Sequence, residues 1–450
     1  MLTTPKGLRM HIGIFGRRNV GKSSILNAIT NQETSIVSEV AGTTTDPVDK
    51  AMELLPLGPV LFIDTAGIDD DQALVGKLRA EKTFQVFNKC DLALVVCEPK
   101  TWTTFETGVV KELTQRNIPL ILVFNKMDVW PGVSKEECLD AIPAEFCELP
   151  ALCMCAQAED SSVQAKNASA QAGGPSVQEK DAGAQIGDAS AQAGDTQREE
   201  LYQSSIRALR EAILEQAPAE FIEDPVIVGD IIPSGSTVIL VVPIDKEAPK
   251  GRLILPQVQV IRDLLDTGNH AYVVQVPELE SALNNLKEPP ALVITDSQAF
   301  GEVSKIVPES IPLTGFSVLF SRFKGDLKAQ AQGIKALANL KETSKVLIAE
   351  ACTHHPIEED IGTVKIPNLL RKKFGDALVI DHVRGNTFPN NLAEYDLVIH
   401  CGGCMFNRRR MLSRIHACVS EGVPITNYGL VLAYFNGVFE RSIQVFPELN

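Results

Sequence analysis

The sequence lacks any apolar run long enough to cross a bilayer, which takes about 20 consecutive residues. Its opening segment, MLTTPKGLRM, also lacks the apolar core of a secretory signal and leads directly into a predicted strand. We therefore expect a protein that stays in the cytoplasm and has no membrane partner.

Basic residues are in deficit as well. Lysine and arginine number 42 against 57 aspartate and glutamate residues, so the formal net charge is −15. Binding to a nucleic-acid backbone needs a basic face. The sequence also contains no recognisable RNA-binding module. We therefore do not expect nucleic acid to be a main partner.

Aliphatic residues are scarce in one internal segment, residues 157–197. Ala, Gln, Gly, Ser and Asp dominate it, with only one Ile and two Val. Such a segment cannot bury enough apolar surface to offset its ordering entropy, so the composition predicts a disordered insertion. A helical pattern resumes at 198–217, which we interpret as the last helix of the first domain.

Outside this insertion, short apolar runs alternate with helical patterns, which predicts α/β domains. A length of 450 residues is sufficient for two to four domains with cores of their own. We predict domains at 1–220, 221–312 and 313–450. In the first, the alternation predicts a doubly wound parallel sheet. Its predicted strands are 10–15, 60–65, 91–96 and 119–124.

The second and third domains show the same alternation without a recognisable nucleotide motif. The predicted strands of the second are 226–232, 236–242, 271–276 and 291–296, and its predicted helices are 257–266, 278–286 and 297–306. Those of the third are strands 345–351, 376–382, 396–401 and 424–429, with helices at 326–341 and 407–420.

A phosphate-binding loop follows the first predicted strand. The run GRRNVGKS fits G-x-x-x-x-G-K-[ST] and opens a helix, which is the context that this motif requires. Glycines let backbone amides point at phosphate oxygens, and the helix N-terminus adds partial positive charge. Lys22 is expected to reach the β- and γ-phosphates, and Ser23 to bind Mg²⁺. The predicted nucleotide-binding residues here are Gly16, Arg17, Arg18, Asn19, Val20, Gly21, Lys22, Ser23 and Ser24.

Further nucleotide motifs follow in the expected order. Asp64 and Gly67 belong to DTAG at the end of a strand, where they are expected to hold a Mg²⁺-bound water and to sense the γ-phosphate. Thr44, in the loop GTTTD, is expected to meet the metal and the γ-phosphate. Asn125, Lys126 and Asp128 belong to NKMD, whose carboxylate accepts the two donors of guanine that adenine lacks. The sequence therefore predicts a GTPase, with Lys22, Thr44, Asp64 and Gly67 as catalytic residues.

Two positions depart from the common pattern. Ile68 stands directly after DTAG, where many GTPases carry a water-orienting glutamine. The fifth guanine motif is at best Cys155-Ala156-Gln157, so Ala156 is its predicted member.

A second constellation lies in the last third of the chain. Cys352-Thr353-His354 and His400-Cys401-x-x-Cys404 each follow an apolar run. The carboxyl ends of parallel strands meet at one edge of a sheet, so the two halves can converge. Three thiolates and one or two imidazoles suit a soft or borderline metal. Spacing alone leaves zinc and iron–sulfur as equal alternatives.

The nucleotide motifs resemble the TrmE–Era branch of GTPases, through GxxNxGKS, GTT and an apolar residue after DTAG. The resemblance implies that Asn19 helps to hold a K⁺ ion and that GTP hydrolysis is slow and K⁺-stimulated. With the C-x-H…H-C-x-x-C pattern included, the chain resembles the HydF family of FeFe-hydrogenase maturation GTPases, over its whole length except the insertion.

This second resemblance implies a 4Fe-4S cluster on Cys352, Cys401 and Cys404, with His354 or His400 as candidates for the fourth ligand. It further implies a P-loop GTPase domain, a small α/β dimerisation domain and a C-terminal α/β iron–sulfur domain. The implied cofactors are GTP, Mg²⁺, K⁺ and the cluster. The implied partners are apo FeFe-hydrogenase, two radical-SAM maturases and further copies of the chain in a homodimer or higher homo-oligomer.

The family's function is that of a scaffold that receives a di-iron precursor and delivers it to the hydrogenase. The main alternative is an Era-like ribosome- or RNA-assembly GTPase with a structural Cys/His zinc site. A decayed GTPase acting only as an interaction protein is disfavoured by the intact Lys22, Ser23, Asp64 and Asp128.

Overall fold

The structure is a computed structural model that describes residues 6–30, 38–39, 48–65, 85–130, 132–156, 188–222, 226–243, 253–351, 360–385, 387–389 and 391–449. The chain divides into two compact units. One is Arg9–Glu223, and the other joins Met1–Leu8 to Asp224–Asn450. Within the described ranges, no helix combines the length and the hydropathy that a bilayer crossing requires.

The first unit is built on a seven-stranded sheet with the order β2-β3-β4-β1-β5-β6-β7. The pairs β2–β3 and β3–β4 are antiparallel, and the remaining pairs are parallel. The strands are β1 (Met10–Phe15), β2 (Ser38–Glu39), β3 (Val48–Leu54), β4 (Gly58–Asp64), β5 (Leu92–Cys97), β6 (Leu120–Phe124) and β7 (Ala151–Cys153). The helices are α1 (Lys22–Thr30), α2 (Thr104–Gln115), α3 (Lys135–Leu139), α4 (Asp188–Gln216) and α5 (Ala219–Ile222).

The sheet is covered on both faces, which explains why its central strands are continuous apolar runs. Successive side chains of a strand point to opposite faces. Ile12 of β1 accordingly packs in a core with Ile213 of α4, and Phe15 packs in another with Leu113 of α2. The predicted GTPase sheet is confirmed.

Helix α4 begins ten residues before the predicted start of 198. Residues 188–197, which composition predicted to be disordered, are therefore helical in this structure. Alanine and glutamine are good helix formers, and an amphipathic segment that packs on a sheet extends a helix cooperatively into such a sequence. The rest of the predicted insertion lies outside the described residues.

The second unit contains two four-stranded sheets in which every pair is parallel. Their orders are β11-β10-β8-β9 and β13-β12-β14-β15, which is the same topology in chain order. The strands are β8 (Thr237–Val241), β9 (His270–Val274), β10 (Leu292–Thr295), β11 (Leu313–Gly315), β12 (Lys345–Glu350), β13 (Val379–Arg384), β14 (Leu397–His400) and β15 (Ile425–Asn427).

Helices lie between most of these strands, as predicted; between β13 and β14 the described residues contain only the 3₁₀ turn Leu392–Glu394. The helices are α6 (Leu255–Asp266), α7 (Leu279–Asn285), α8 (Phe300–Ile306), α9 (Phe316–Lys324), α10 (Leu327–Ala338), α11 (Ile366–Phe374), α12 (Arg408–Ser420), α13 (Tyr428–Phe435) and α14 (Phe439–Ile443). One continuous core contains residues from both sheets, for example Val238 and Val346. The expected boundary at 312 is too early, because β11 pairs with β10 and completes the first of the two sheets.

The predicted strand 226–232 does not form. The backbone amides of Ile227, Val228 and Gly229 instead donate to the carboxylate of Asp263, at 2.8, 2.9 and 2.9 Å. A carboxylate that accepts several amides replaces the strand partner that these groups would otherwise need. The segment is therefore an irregular turn that is held by helix α6.

Gly333, inside helix α10, lies close to strand β15, and this contact is testable. A Cβ at this position would clash with the carbonyl oxygen of Ile425 in β15, whereas a Cβ at Gly108 inside α2 would meet nothing within 4 Å. We expect Gly333→Ala to destabilise the unit by about 1–3 kcal/mol through overpacking. Gly108→Ala, the matched control, should be neutral or stabilise its own unit by up to about 1 kcal/mol.

Urea unfolding followed by circular dichroism measures both effects. Equal changes in the free energy of unfolding for the two variants would contradict the close contact between α10 and β15.

Candidate functional sites

The phosphate-binding loop connects β1 to α1 and is held by its own side chains. Asn19 and Gly21 adopt positive φ angles of 63° and 93°, a conformation that most residues avoid. The Nζ of Lys22 donates to the carbonyl oxygens of Gly16 at 2.8 Å and Arg17 at 2.7 Å. The lysine charge therefore lies inside the curl of the loop, where phosphate oxygens are expected.

Ser23 and Asp64 place two oxygen-bearing side chains together where Mg²⁺ and its bound water are predicted. The strand pairing places Ile14 of β1 opposite Asp64 of β4, and Ser23 Oγ donates to Asp64 Oδ2 at 2.8 Å. The other carboxylate oxygen, Oδ1, is buried and has no hydrogen-bond partner among the described residues. Burial raises the pKa of Asp64. A hard divalent cation would compensate this buried carboxylate.

The loop Asn125–Asp128, which is predicted to recognise guanine and is called the guanine-specificity loop below, contacts the phosphate-binding loop directly. Asn125 Nδ2 donates to the carbonyl oxygen of Val20 at 2.9 Å, and a Cβ at Gly21 would clash with the same amide nitrogen. Asp128 is exposed at the end of this loop. Position 21 therefore requires glycine both for its backbone angle and for this contact.

Ala156 lies after β7, next to the guanine-specificity loop. The backbone amide of Met127 donates to the carbonyl oxygen of Met154 at 3.3 Å, which joins the two segments. Ala156 itself is buried. The position is compatible with the fifth guanine motif, whose assignment remains a prediction. Thr44, Gly67 and Ile68 lie outside the described residues, so their predicted roles also stay predictions.

Sequence reasoning missed one partner of the phosphate-binding loop, Glu106. Its side chain is completely buried and accepts from Arg17 Nε at 2.7 Å, with Arg17 still 22% exposed. The other oxygen of Glu106 caps helix α2 by accepting from the amide of Thr103 at 2.8 Å. The pattern Thr-x-x-Glu before an apolar run, TTFE in this sequence, signals such a capping box. It gives no hint that the carboxylate also holds the loop.

The cysteine site is organised by the parallel pair β12–β14, in which Ala349 lies opposite His400. The amide of Ala351, the residue before Cys352, donates to Cys401 Sγ at 3.0 Å. Amide-to-sulfur hydrogen bonds are typical of thiolate-bound iron–sulfur sites. Cys401 and Cys404 are half-buried. Cys352 and His354 lie outside the described residues, in which no group of three or more metal-binding side chains occurs.

His400 lies in the core behind this loop. It is 0% exposed, and burial is the main cause that lowers its pKa to about 3. Its Nδ1 lies 2.7 Å from the carbonyl oxygen of Cys401, and its Nε2 lies 2.8 Å from Arg414 Nη1. With the proton assigned to Nδ1, Nε2 accepts from the guanidinium and neither nitrogen is left for a metal. The prediction that His400 supplies the fourth ligand therefore finds no support in this arrangement.

Two buried cations lie next to the loop that carries Cys401 and Cys404. Lys324, 2% exposed, donates to the carbonyl oxygens of Cys404 at 3.2 Å and Phe406 at 3.0 Å, and burial lowers its pKa to about 8. Arg414 is 4% exposed on the side of Cys401. Positive charge next to thiols favours thiolates, the form that binds metal. The donor set and its charge therefore fit an anionic thiolate–metal centre.

Comparison with known proteins defines the class of the first unit. Residues 11–126 match the family model described as a 50S ribosome-binding GTPase. Over 120 residues the chain is 38% identical to the tRNA modification GTPase MnmE of Chromobacterium violaceum, a match covering 27% of this chain and 26% of MnmE. Over 130 residues it is 39% identical to the GTPase Der of Wolinella succinogenes, covering 28% of this chain and 27% of Der.

The chain thus spans about a quarter of the length of these curated relatives. A crystal structure of an Era variant from Aquifex aeolicus bound to GDP and AlF₄⁻ shares 24% identity, with a TM-score of 0.28 and coverage of 36% of this chain and 56% of that chain. From its motifs, their geometry and the sequence matches, the first unit is a P-loop GTPase domain.

The second unit identifies the family. Residues 227–325 match the hydrogen maturase F dimerization domain, and residues 328–445 match the hydrogen maturase F tetramerization domain. The chain therefore belongs to the hydrogen maturase F family, HydF, which confirms the resemblance seen in the motifs. The two domain descriptions indicate a homo-oligomer.

The pair Arg17–Glu106 generates a prediction for the nucleotide site. Glu106→Gln removes the buried negative charge while keeping the shape, so the Arg17 hydrogen bond loses its charge assistance, which is worth about 1 kcal/mol. We expect GTP binding, measured by titration calorimetry, to weaken by about 3- to 10-fold.

The control is Glu112→Gln on the same helix, which breaks a partly exposed pair with Arg116. A pair of this kind contributes at most about 1 kcal/mol, so GTP affinity should not change. Equal affinities for wild type and Glu106→Gln would show that Glu106 only caps the helix.

Proposed function

We propose that this chain is a GTP-hydrolysing scaffold that binds a 4Fe-4S cluster and delivers the di-iron precursor of the H-cluster to apo FeFe-hydrogenase. The observation that carries the proposal is the hydrogen bond from Ala351, next to Cys352, to Cys401 Sγ in a domain of the hydrogen maturase F family. A complete phosphate-binding loop precedes that domain in the same chain. The metal site and the GTPase switch are then two modules of one protein.

In the first module, Lys22 neutralises the β- and γ-phosphates, and Ser23 with Asp64 serves Mg²⁺. Asp128 selects guanine. Thr44 and Gly67 sense the γ-phosphate, and hydrolysis changes the order of their loops and so the affinity for partners. GTP hydrolysis therefore acts as a switch and does not drive bond formation at the metal.

In the second module, Cys352, Cys401 and Cys404 hold the cluster. His354 remains the histidine candidate for the fourth position, because both nitrogens of His400 are engaged in the core. When bound, a cluster with three cysteine ligands supplies one iron with an exchangeable position. The chain contributes thiolates, the Ala351 amide and the buried cations Lys324 and Arg414, which together stabilise a negatively charged centre.

The proposed partners follow from this role. Two radical-SAM maturases supply the precursor, apo FeFe-hydrogenase accepts it, and the chain itself forms a homodimer or a higher homo-oligomer. The matches of residues 227–325 and 328–445 to hydrogen maturase F domains favour this function over an Era-like ribosome- or RNA-assembly GTPase with structural zinc.

A substitution in one module should leave the property of the other module unchanged. Lys22→Ala removes the charge that the phosphates need, so we expect loss of GTP hydrolysis with unchanged iron content. Cys401→Ser removes a thiolate, so we expect loss of iron with unchanged hydrolysis. Phosphate release and iron analysis of anaerobically purified protein measure both. A single substitution that removes both properties would contradict the two-module proposal.

The same preparations separate the two metals. A broad charge-transfer absorption in the violet–blue region indicates iron–sulfur. Colourless protein with stoichiometric zinc would instead support the assembly-GTPase alternative.

The monovalent cation is testable independently of the cluster. If Asn19 helps to hold K⁺ near the phosphates, replacing KCl by NaCl at equal ionic strength should lower the rate of GTP hydrolysis by about tenfold or more, equivalent to about 1.4 kcal/mol in the barrier. Equal rates in both salts would exclude K⁺ as an activator. The Cys401→Ser variant serves as the control and should show the same salt dependence.

A further inference from the structure

One buried side chain in the second unit, Arg414 of helix α12, is hydrogen-bonded to two separate segments near the cysteines. Its Nη1 donates to His400 Nε2 at 2.8 Å, and its Nη2 donates to the carbonyl oxygens of Gly385 at 2.6 Å and Thr387 at 3.1 Å. The guanidinium is a planar fork with fixed donor directions, so one side chain can fix several acceptors at once.

The first of these segments leads to Cys401. His400 ends β14, and its Nδ1 is bonded to the carbonyl oxygen of the next residue, Cys401. Arg414 thereby fixes the orientation of the imidazole, and the imidazole fixes the peptide that begins the Cys401–Cys404 loop. In many metalloproteins, groups that do not touch the metal orient its ligands through hydrogen bonds in this way.

The second segment leads to the stretch that contains Cys352. Gly385 directly follows Arg384, the last residue of β13. Arg384 Nε donates to Glu350 Oε2 at 2.8 Å, and its Nη2 donates to Asp360 Oδ2 at 3.2 Å. Glu350 and Asp360 stand on either side of residues 351–359. The segment held by Arg414 is therefore also the segment that holds both ends of the other cysteine-bearing stretch.

Aromatic rings fix the position of the guanidinium. Its central carbon lies 4.7 Å from the ring centroid of Phe388 and 4.6 Å from that of Phe406, which follows Cys404 in the chain. Rings at this distance stabilise a cation and restrict a planar group more than a lysine ammonium. Arg414 is thus immobilised by its hydrogen bonds and by its ring contacts.

We propose that Arg414 is a positioning residue for the metal centre: it joins the Cys401–Cys404 loop, through His400, to Gly385 and Thr387, and so to the Arg384 side chain that binds Glu350 and Asp360. The inference rests on the proposed cluster. It assigns His400 a structural role, and it identifies the source of positive charge next to Cys401.

The test compares Arg414→Met, Arg414→Lys and the control Arg410→Met with wild type. Arg410 stacks on the same Phe406 ring at 4.4 Å from the same helix, so its loss removes a comparable cation and ring contact. The measurements are the rate of iron release to a ferrous chelator under anaerobic conditions and the EPR spectrum of the reduced protein. GTP hydrolysis and circular dichroism report on folding.

We expect Arg414→Met to release iron at least about tenfold faster than wild type. Tenfold is the lower end of the loss in metal affinity when a group that orients a metal ligand is removed. Its EPR signal should broaden as the ligand geometry becomes heterogeneous. Arg414→Lys, which keeps the charge but not the fork, should fall between Arg414→Met and wild type. Arg410→Met should release iron more slowly than Arg414→Met, because it leaves the hydrogen bonds from Arg414 to His400, Gly385 and Thr387 in place.

A second comparison asks whether Arg414 acts through His400. Contacting residues that act through each other give non-additive effects. The double variant Arg414→Met with His400→Leu should therefore release iron no faster than the faster of the two single variants. Additive effects would overturn the proposed path through the imidazole.

The outcomes separate this inference from the function on which it rests. Wild-type protein that holds no metal at these cysteines overturns both. Loaded wild type with equal iron release from Arg414→Met overturns the inference alone, as does an equal effect of Arg410→Met. If Arg414→Met does not fold, the test uses Arg414→Lys instead. Iron release from Arg414→Lys at the wild-type rate then overturns the positioning role.

Discussion

Parallel strand pairing is the constraint on which both sites of this chain depend. Because parallel strands end at the same edge of a sheet, loops that are distant in sequence meet there. In the first unit, the β1–β4 register brings the phosphate-binding loop to Asp64, at 2.8 Å from Ser23. In the second unit, the β12–β14 register brings Ala351 to Cys401 across a separation of 50 residues. In each case the candidate functional residues lie at or directly after the end of a buried apolar strand.

The side chains that hold these loops are charged and buried, which needs a physical reason. Moving an ion into a protein interior costs several kcal/mol, and the pairing gain often does no more than offset that cost. Arg17–Glu106, Lys324 and Arg414 therefore contribute little net stability compared with apolar residues of the same volume. Each of them fixes backbone or side-chain acceptors in a loop that carries phosphate- or metal-binding groups. What these side chains have in common is the geometry that they impose on the loops.

Most of the strands could be predicted because they are fully buried and hence continuously apolar. The prediction of 10–15 coincides with β1, and that of 345–351 differs from β12 by one residue. The error at 226–232 has a different origin: the deciding acceptor, Asp263, lies 34 to 36 residues away. Local pattern contains no information about such a contact. The same holds for the boundary at 312, which depends on the partner of β11.

The candidate sites also contain a part that local sequence predicts and a part that depends on distant contacts. Glycine spacing and strand context predicted the nucleotide loop, and cysteine spacing predicted a metal site at the Cys401–Cys404 loop, because both motifs are local. The partners that hold them are not: Glu106 lies 89 residues from Arg17, and Arg414 is one arginine in an ordinary helix pattern. For His400, sequence adjacency to Cys401 suggested a ligand, whereas its two hydrogen bonds place it in the core.

The two sheets of the second unit show that the cysteine site depends on its residues and not on its fold. Both sheets have the same strand order, so β10 occupies the place in one that β14 occupies in the other. After β14 the chain continues with Cys401, whose sulfur accepts an amide hydrogen bond from Ala351. After β10 it continues with Asp296, whose carboxylate accepts the amide of Gln298 at 3.1 Å and caps a short helix. The same strand-end position is a thiol site in one sheet and a helix cap in the other, as expected when function depends on side chains grafted onto a common architecture.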